Sequence, residues 1–144
     1  MNTLSCLLDF TRLQGDRAQV YSGLERGFDL FISGQASRQD FVVLANSARD
    51  SFVLISKQIQ QVELILKSEY NQHAIADIIR QIQKLEQFKL TKTVERQILL
   101  TESTFGEQDY SSDLPDCETA LKETVKEINE KLEELHLEMA EMEL

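Results

Sequence analysis

The sequence predicts an all-α protein, an elongated antiparallel bundle of three long helices followed by an acidic coiled-coil helix. Three observations carry this prediction. Glycine and proline number only 5 and 1 in 144 residues, whereas loop-rich and β-rich folds need turn residues every few positions. Leu, Glu and Gln are the three commonest residues, and all are good helix formers. Apolar residues recur at alternating intervals of 3 and 4 over long stretches, which is the period of one helix face. With 42% hydrophobic residues the chain has enough apolar side chains for one domain core.

The first helix is predicted over residues 3–33. Leu7, Phe10, Gln14, Arg17, Tyr21, Leu24, Phe28 and Phe31 form its seam, and Gly34 follows as a stop. Gly15, Gly23 and Gly27 lie inside it, each costing about 1 kcal/mol relative to alanine, so tertiary packing must hold this helix. The second helix is predicted over 38–67. Ser37 with Asp40 is a variant of the capping pair, and Phe41, Leu44, Ala48, Phe52, Ile55, Ile59, Val62 and Leu66 form the seam. The short connection makes the two helices antiparallel neighbours. Residues 68–72, with Asn71 among them, mark the next turn.

A third helix is predicted over 73–102. Ile75, Ile78, Ile82 and Leu85 stripe its first half, while Gln83, Glu86, Leu90, Thr93 and Gln97 recur along its second half. Residues 103–115 hold Gly106, the Ser111-Ser112 pair and the sole proline, and read as a linker. Asp116 after Pro115 suits an N-cap. A fourth helix is predicted over 116–143, with Leu121, Val125, Ile128, Leu132, Leu135, Met139 and Met142 in a regular heptad seam. Glu118 with Lys122 and Glu127 with Lys131 are spaced for ion pairs. The organisation expected is a three-helix domain over 1–102, a linker over 103–115 and a coiled-coil helix over 116–144.

Charge narrows the function. The net charge is −10. Residues 116–144 hold ten acids and three lysines, which is −7 and leaves −3 for residues 1–115. A field of that sign repels phosphate backbones, so direct tight nucleic-acid binding is not expected. The basic cluster of the third helix (Arg80, Lys84, Lys89, Lys92, Arg96) is spread over several faces and interrupted by Glu86 and Glu95. The longest apolar run, Phe41 to Ala45, is far short of the roughly 20 residues of a membrane helix. The opening MNTLSCLLDF lacks a basic segment, and Asp9 breaks its apolar run, so it does not read as a signal peptide. Cys6 and Cys117 form no CxxC or disulfide framework, and reduced thiols in the nucleus or cytoplasm are expected.

No catalytic constellation emerges. His73 and His136 are isolated and read as solvated, and neither a phosphate-binding loop nor a nucleophile-elbow motif is present. No cofactor and no metal are expected. The more informative residues are polar groups on apolar seams, Gln14 and Arg17 on the first helix and Gln83 and Glu86 on the third. Two readings of Arg17 stand. It snorkels to water along its apolar stem, or it lies in a buried polar layer with Glu86, at matched height when the first and third helices run parallel.

The same residues carry a family resemblance. LQGDRAQVYSGLERGF, residues 13–28, resembles the opening signature of the required-for-excision B-domain family, with Gln14, Arg17 and Tyr21 followed by Glu25-x-Gly27. IRQIQKLEQFKLTKTVERQ, residues 79–97, resembles its second signature, and DSFVLISKQIQQVELIL, residues 50–66, its middle helix. The resemblance covers residues 7–100 and implies a role in repair of damaged DNA, with no activity, cofactor or ligand site to transfer. The function expected is therefore a non-enzymatic repair factor acting through protein–protein contacts. A structural or tethering coiled-coil subunit unrelated to DNA is the alternative, and an enzyme ranks last. The seam of residues 116–144 is expected to bind a partner protein or a second copy of the chain.

Overall fold

Helix-forming composition and the 3,4 rhythm are realised throughout. The computed structural model describes residues 2–106, 109–110 and 112–143. Among these it has four helices and no strand, with α1 at Thr3–Ile32, α2 at Arg38–Ser68, α3 at His73–Phe105 and α4 at Leu114–Glu143. The protein is all-α.

The helix ends follow from local chemistry. Asn2 caps α1, its Oδ1 accepting the Ser5 N–H at 2.9 Å. At the other end Gly34 adopts φ +80°, open to glycine at no steric cost. The Gln35 N–H then donates to the Leu30 carbonyl at 2.8 Å and the Gly34 N–H to Phe31 at 3.1 Å, the paired bonds of a Schellman stop. Ser37 and Asp40 form a full reciprocal capping box, Asp40 N–H to Ser37 Oγ at 3.0 Å and Ser37 N–H to Asp40 Oδ2 at 3.2 Å. Asn71, at φ 53°, turns the chain from α2 into α3.

Two boundaries differ from the sequence reading. α3 continues to Phe105, where Gly106 follows as the stop and its N–H still bonds the Glu102 carbonyl at 2.9 Å. α4 begins at Leu114, so Pro115 and Asp116 lie in its first turn and Asp116 is not the N-cap. Proline is tolerated there because that N–H has no helical partner, and the Asp113 carbonyl accepts from the Cys117 N–H at 3.4 Å. Residues 107, 108 and 111 of the expected linker lie outside the described residues.

The chain divides between Asp77 and Ile78 into two compact units. In the first, α1 and α2 lie antiparallel. Rings fix their register, with Phe28 and Phe41 centroids 5.4 Å apart, Phe31 stacked on Phe41 at 5.6 Å, and Tyr21 against Phe52 at 4.6 Å. Leu7, Phe10, Leu24, Ile59 and Leu66 are buried with them. A Cβ added at Gly27 would collide with Leu44 Cδ2, so glycine there permits the close approach of α1 and α2. In the second unit, α3 beyond Asp77 and α4 are joined by side-chain contacts. Arg96 Nε donates to Glu118 Oε1 at 3.3 Å, and the Cys117 thiol donates to the Lys92 carbonyl at 3.3 Å.

Candidate functional site

The seam periodicity that predicts the helices also places the polar candidates. On α1, Arg17 stands one turn from buried Leu13 and one from buried Tyr21, and is itself only 4% exposed. It is a buried arginine and does not snorkel. Gln14 beside it is half-buried. Neither residue is without an interaction partner. The ring pairs set Arg17 level with the stretch of α2 just past Phe52. Glu63, a buried carboxylate of α2, therefore lies about two turns, roughly 10 Å, further along the helix pair.

On α3, Gln83 and Glu86 are both buried, Glu86 to 5% exposure. Thr93 and Gln97 continue the same buried row. Lys92 and Arg96 of α3 meet Cys117 and Glu118 in the first turns of α4. Thr124 is buried, and its hydroxyl donates to the Ala120 carbonyl at 2.7 Å. The second half of α3 thus carries a buried polar row. Buried polar groups of this kind specify register at a desolvation cost. Gln14 and Arg17 belong to the first unit, Gln83 and Glu86 to the second.

The expected partner-binding seam of α4 is partly occupied by the chain itself. Ile128, Leu135 and Met139 are buried, Leu121, Leu132 and Met142 half-buried, and Val125 exposed. The buried stripe runs Cys117, Thr124, Ile128, Leu135 and Met139. Thr124 takes the place expected of Val125, because a seam residue and its neighbour differ by only 100° around the helix. Glu118 turns to Arg96 and Lys131 pairs with Glu134 at 3.4 Å. Sequence reasoning missed Glu63 and Thr124. Glu63 sits beside seam residue Val62, and only the packed geometry shows which of the two flanks is covered.

The two thiols are free and buried. Desolvation raises the pKa of Cys6 above its ordinary 9.0, with Asp9 and Glu69 adding to it. Desolvation and Glu95 do the same for Cys117. Both are therefore weak nucleophiles at neutral pH. His73 is exposed, 2.9 Å from Asn71 Oδ1, and His136 is exposed on α4. Among the described residues no group of three or more His, Cys, Asp and Glu side chains is placed to hold a metal ion, and no helix is long and apolar enough to cross a membrane.

Exposed apolar groups complete the surface. Val94, Ile98 and Phe105 lie along one side of the C-terminal half of α3, 43 to 57% exposed. Lys92 crosses the exposed Phe88 ring at 5.7 Å, and its hydrogen bond to Glu95 raises its pKa.

Against known proteins, the model of the family described as DNA repair REX1-B matches residues 5–100. That span takes in α1, α2 and most of α3, and stops before α4. A Required for excision 1-B domain-containing protein of Bos taurus is 26% identical over 130 residues, covering 88% of this chain and 71% of the relative. No solved structure matches.

Proposed function

Because the chain belongs to the DNA repair REX1-B family, we propose that it is a non-enzymatic repair factor that acts inside the cell through contacts with other proteins. The observation that carries the contact reading is the row of Val94, Ile98 and Phe105. Their spacing of 4 and 7 puts three large apolar side chains on one exposed side of α3. Apolar groups gathered on a surface mark protein-binding sites. The −10 net charge supports an indirect role, since an acidic molecule gains nothing from a phosphate backbone. The buried polar residues support a non-enzymatic one. Gln83, Thr93, Gln97 and Thr124 are suited to holding helix register, and the thiols are inaccessible and protonated.

The test is replacement of Ile98 by Asp in cells lacking the native chain. The expected outcome is retained helicity of the purified variant, loss of co-purifying repair proteins, and failure to restore survival after DNA damage. Full restoration by Ile98→Asp would overturn the reading of this surface. Sub-micromolar, salt-sensitive binding of the purified chain to duplex DNA would overturn the indirect role.

A further inference from the structure

The solvent face of α2 carries apolar doublets at a fixed interval. Val42-Val43, Val53-Leu54 and Leu64-Ile65 recur every 11 residues. Eleven residues make just over three whole turns, so the doublets stack into two straight rows nearly parallel to the helix axis. Val42, Val53 and Leu64 form one row, and Val43, Leu54 and Ile65 the other. Ile65 is half-buried, while the other five are 42 to 60% exposed. Asn46, Asp50, Lys57 and Gln61 lie between and beside the rows, all exposed. The core residues Ala48, Phe52, Ile55, Ile59 and Leu66 occupy the opposite side. An amphipathic helix ordinarily shows polar residues on its outer side, so two apolar rows there call for a cover.

The order of residue types identifies the cover. Outward from the Val53-Leu54 doublet, Lys57 answers Asp50, Gln61 answers Asn46, and Leu64-Ile65 answers Val42-Val43. A two-fold axis through the centre of the helix turns this near-palindrome into a self-complementary surface. Asp50 of each copy faces Lys57 of the other, and Asn46 faces Gln61. The doublet at 42–43 meets the doublet at 64–65, and residues 53 and 54 meet their own counterparts at the axis. In the single chain Asp50 stands 3.6 Å from its neighbour Arg49 in an exposed pair, which is worth little. We propose that α2 is a homodimer interface on which a second copy of this chain packs antiparallel. Such an isologous contact pairs residue i with j and j with i, over about 33 Å of helix from Val42 to Leu64. The inference stands independently of the repair role and places self-association on α2 instead of on α4.

The full chain at micromolar concentration should sediment as a dimer. Asp50→Lys alone sets lysine against Lys57, and Lys57→Asp alone sets aspartate against Asp50, so each variant should self-associate at least about tenfold more weakly. An equimolar mixture of the two variants re-forms both ion pairs and should recover the dimer. Misfolding cannot produce that recovery. Val53→Cys and Leu54→Cys supply a second measurement. Cys6 and Cys117 are buried, so oxidation should link two chains through a residue on the axis. A monomeric wild type, single charge variants that dimerise like wild type, a mixture that stays monomeric, or cysteine variants that do not cross-link would each overturn the proposal.

Discussion

Replacing Arg17 by Met removes a charge from a site only 4% exposed. Met retains much of the apolar stem, so the packing beside Leu13 and Tyr21 changes little. What changes is the interaction, because Arg17 does not stand alone and Met supplies neither the guanidinium's charge nor its hydrogen bonds. Breaking a buried charged interaction from one side costs about 3–5 kcal/mol. The pair of Arg12 with Asp16, whose side chains are 61% and 52% exposed, sets the contrast, since its loss is worth under about 1 kcal/mol. With a urea slope of about 2 kcal/mol/M, Arg17→Met should lower the unfolding midpoint by roughly 1.5–2.5 M. Arg12→Met should move it by less than about 0.5 M on the same slope. Helicity followed against urea is the assay. A loss below about 1 kcal/mol for Arg17→Met would refute the buried-charge argument. A double-mutant cycle with Glu86→Leu then tests the layer expected from the sequence. A coupling of several kcal/mol makes the two residues partners, and one below about 0.5 kcal/mol shows that they act separately.

Ser37→Ala removes half of the capping box of α2 and should cost about 1 kcal/mol, read from the thermal midpoint. Gly23→Ala enters open space and should stabilise by up to about 1 kcal/mol through helix propensity. Gly27→Ala must displace Leu44, and overpacking of about 1–3 kcal/mol should cancel or outweigh that gain. Equal gains at the two glycines would contradict the close approach of α1 and α2. The raised pKa values of Cys6 and Cys117 mean that above their ordinary 9.0 the folded chain holds protons that the unfolded chain releases. Their contribution is thus fully present below pH 9.0 and is lost as pH rises through the folded values. Under reducing conditions the urea midpoint should fall above pH 9.0, and this fall should be smaller in the Cys6→Ala, Cys117→Ala double variant.

The helices were legible because the 3,4 seams are long and stop signals are few. Gly34, the Ser37–Asp40 box and Asn71 all act where the sequence places them. The stop at Gly106 and the start at Leu114 were harder to read. Glycine and proline punctuate that stretch without stating on which side the helix lies, and proline fits a first turn as readily as a loop. Burial of single seam residues was less legible again. A seam position tells which face is inward, not how deeply it is covered, so Arg17 admitted both a buried and a snorkelling reading until its environment was known. Thr124 in place of Val125 and the unforeseen Glu63 are the same limit seen at the flank of a stripe. The doublets of α2 lie opposite the core seam, where the 3,4 rhythm of buried positions carries no signal.

Proximity labelling of the full chain in damaged cells tests the functional account most directly. The account predicts that known repair proteins are enriched around the wild-type chain after damage and depleted around Ile98→Asp. Enrichment of cytoskeletal or trafficking proteins, with repair proteins at background in both, would contradict it and favour the tethering subunit.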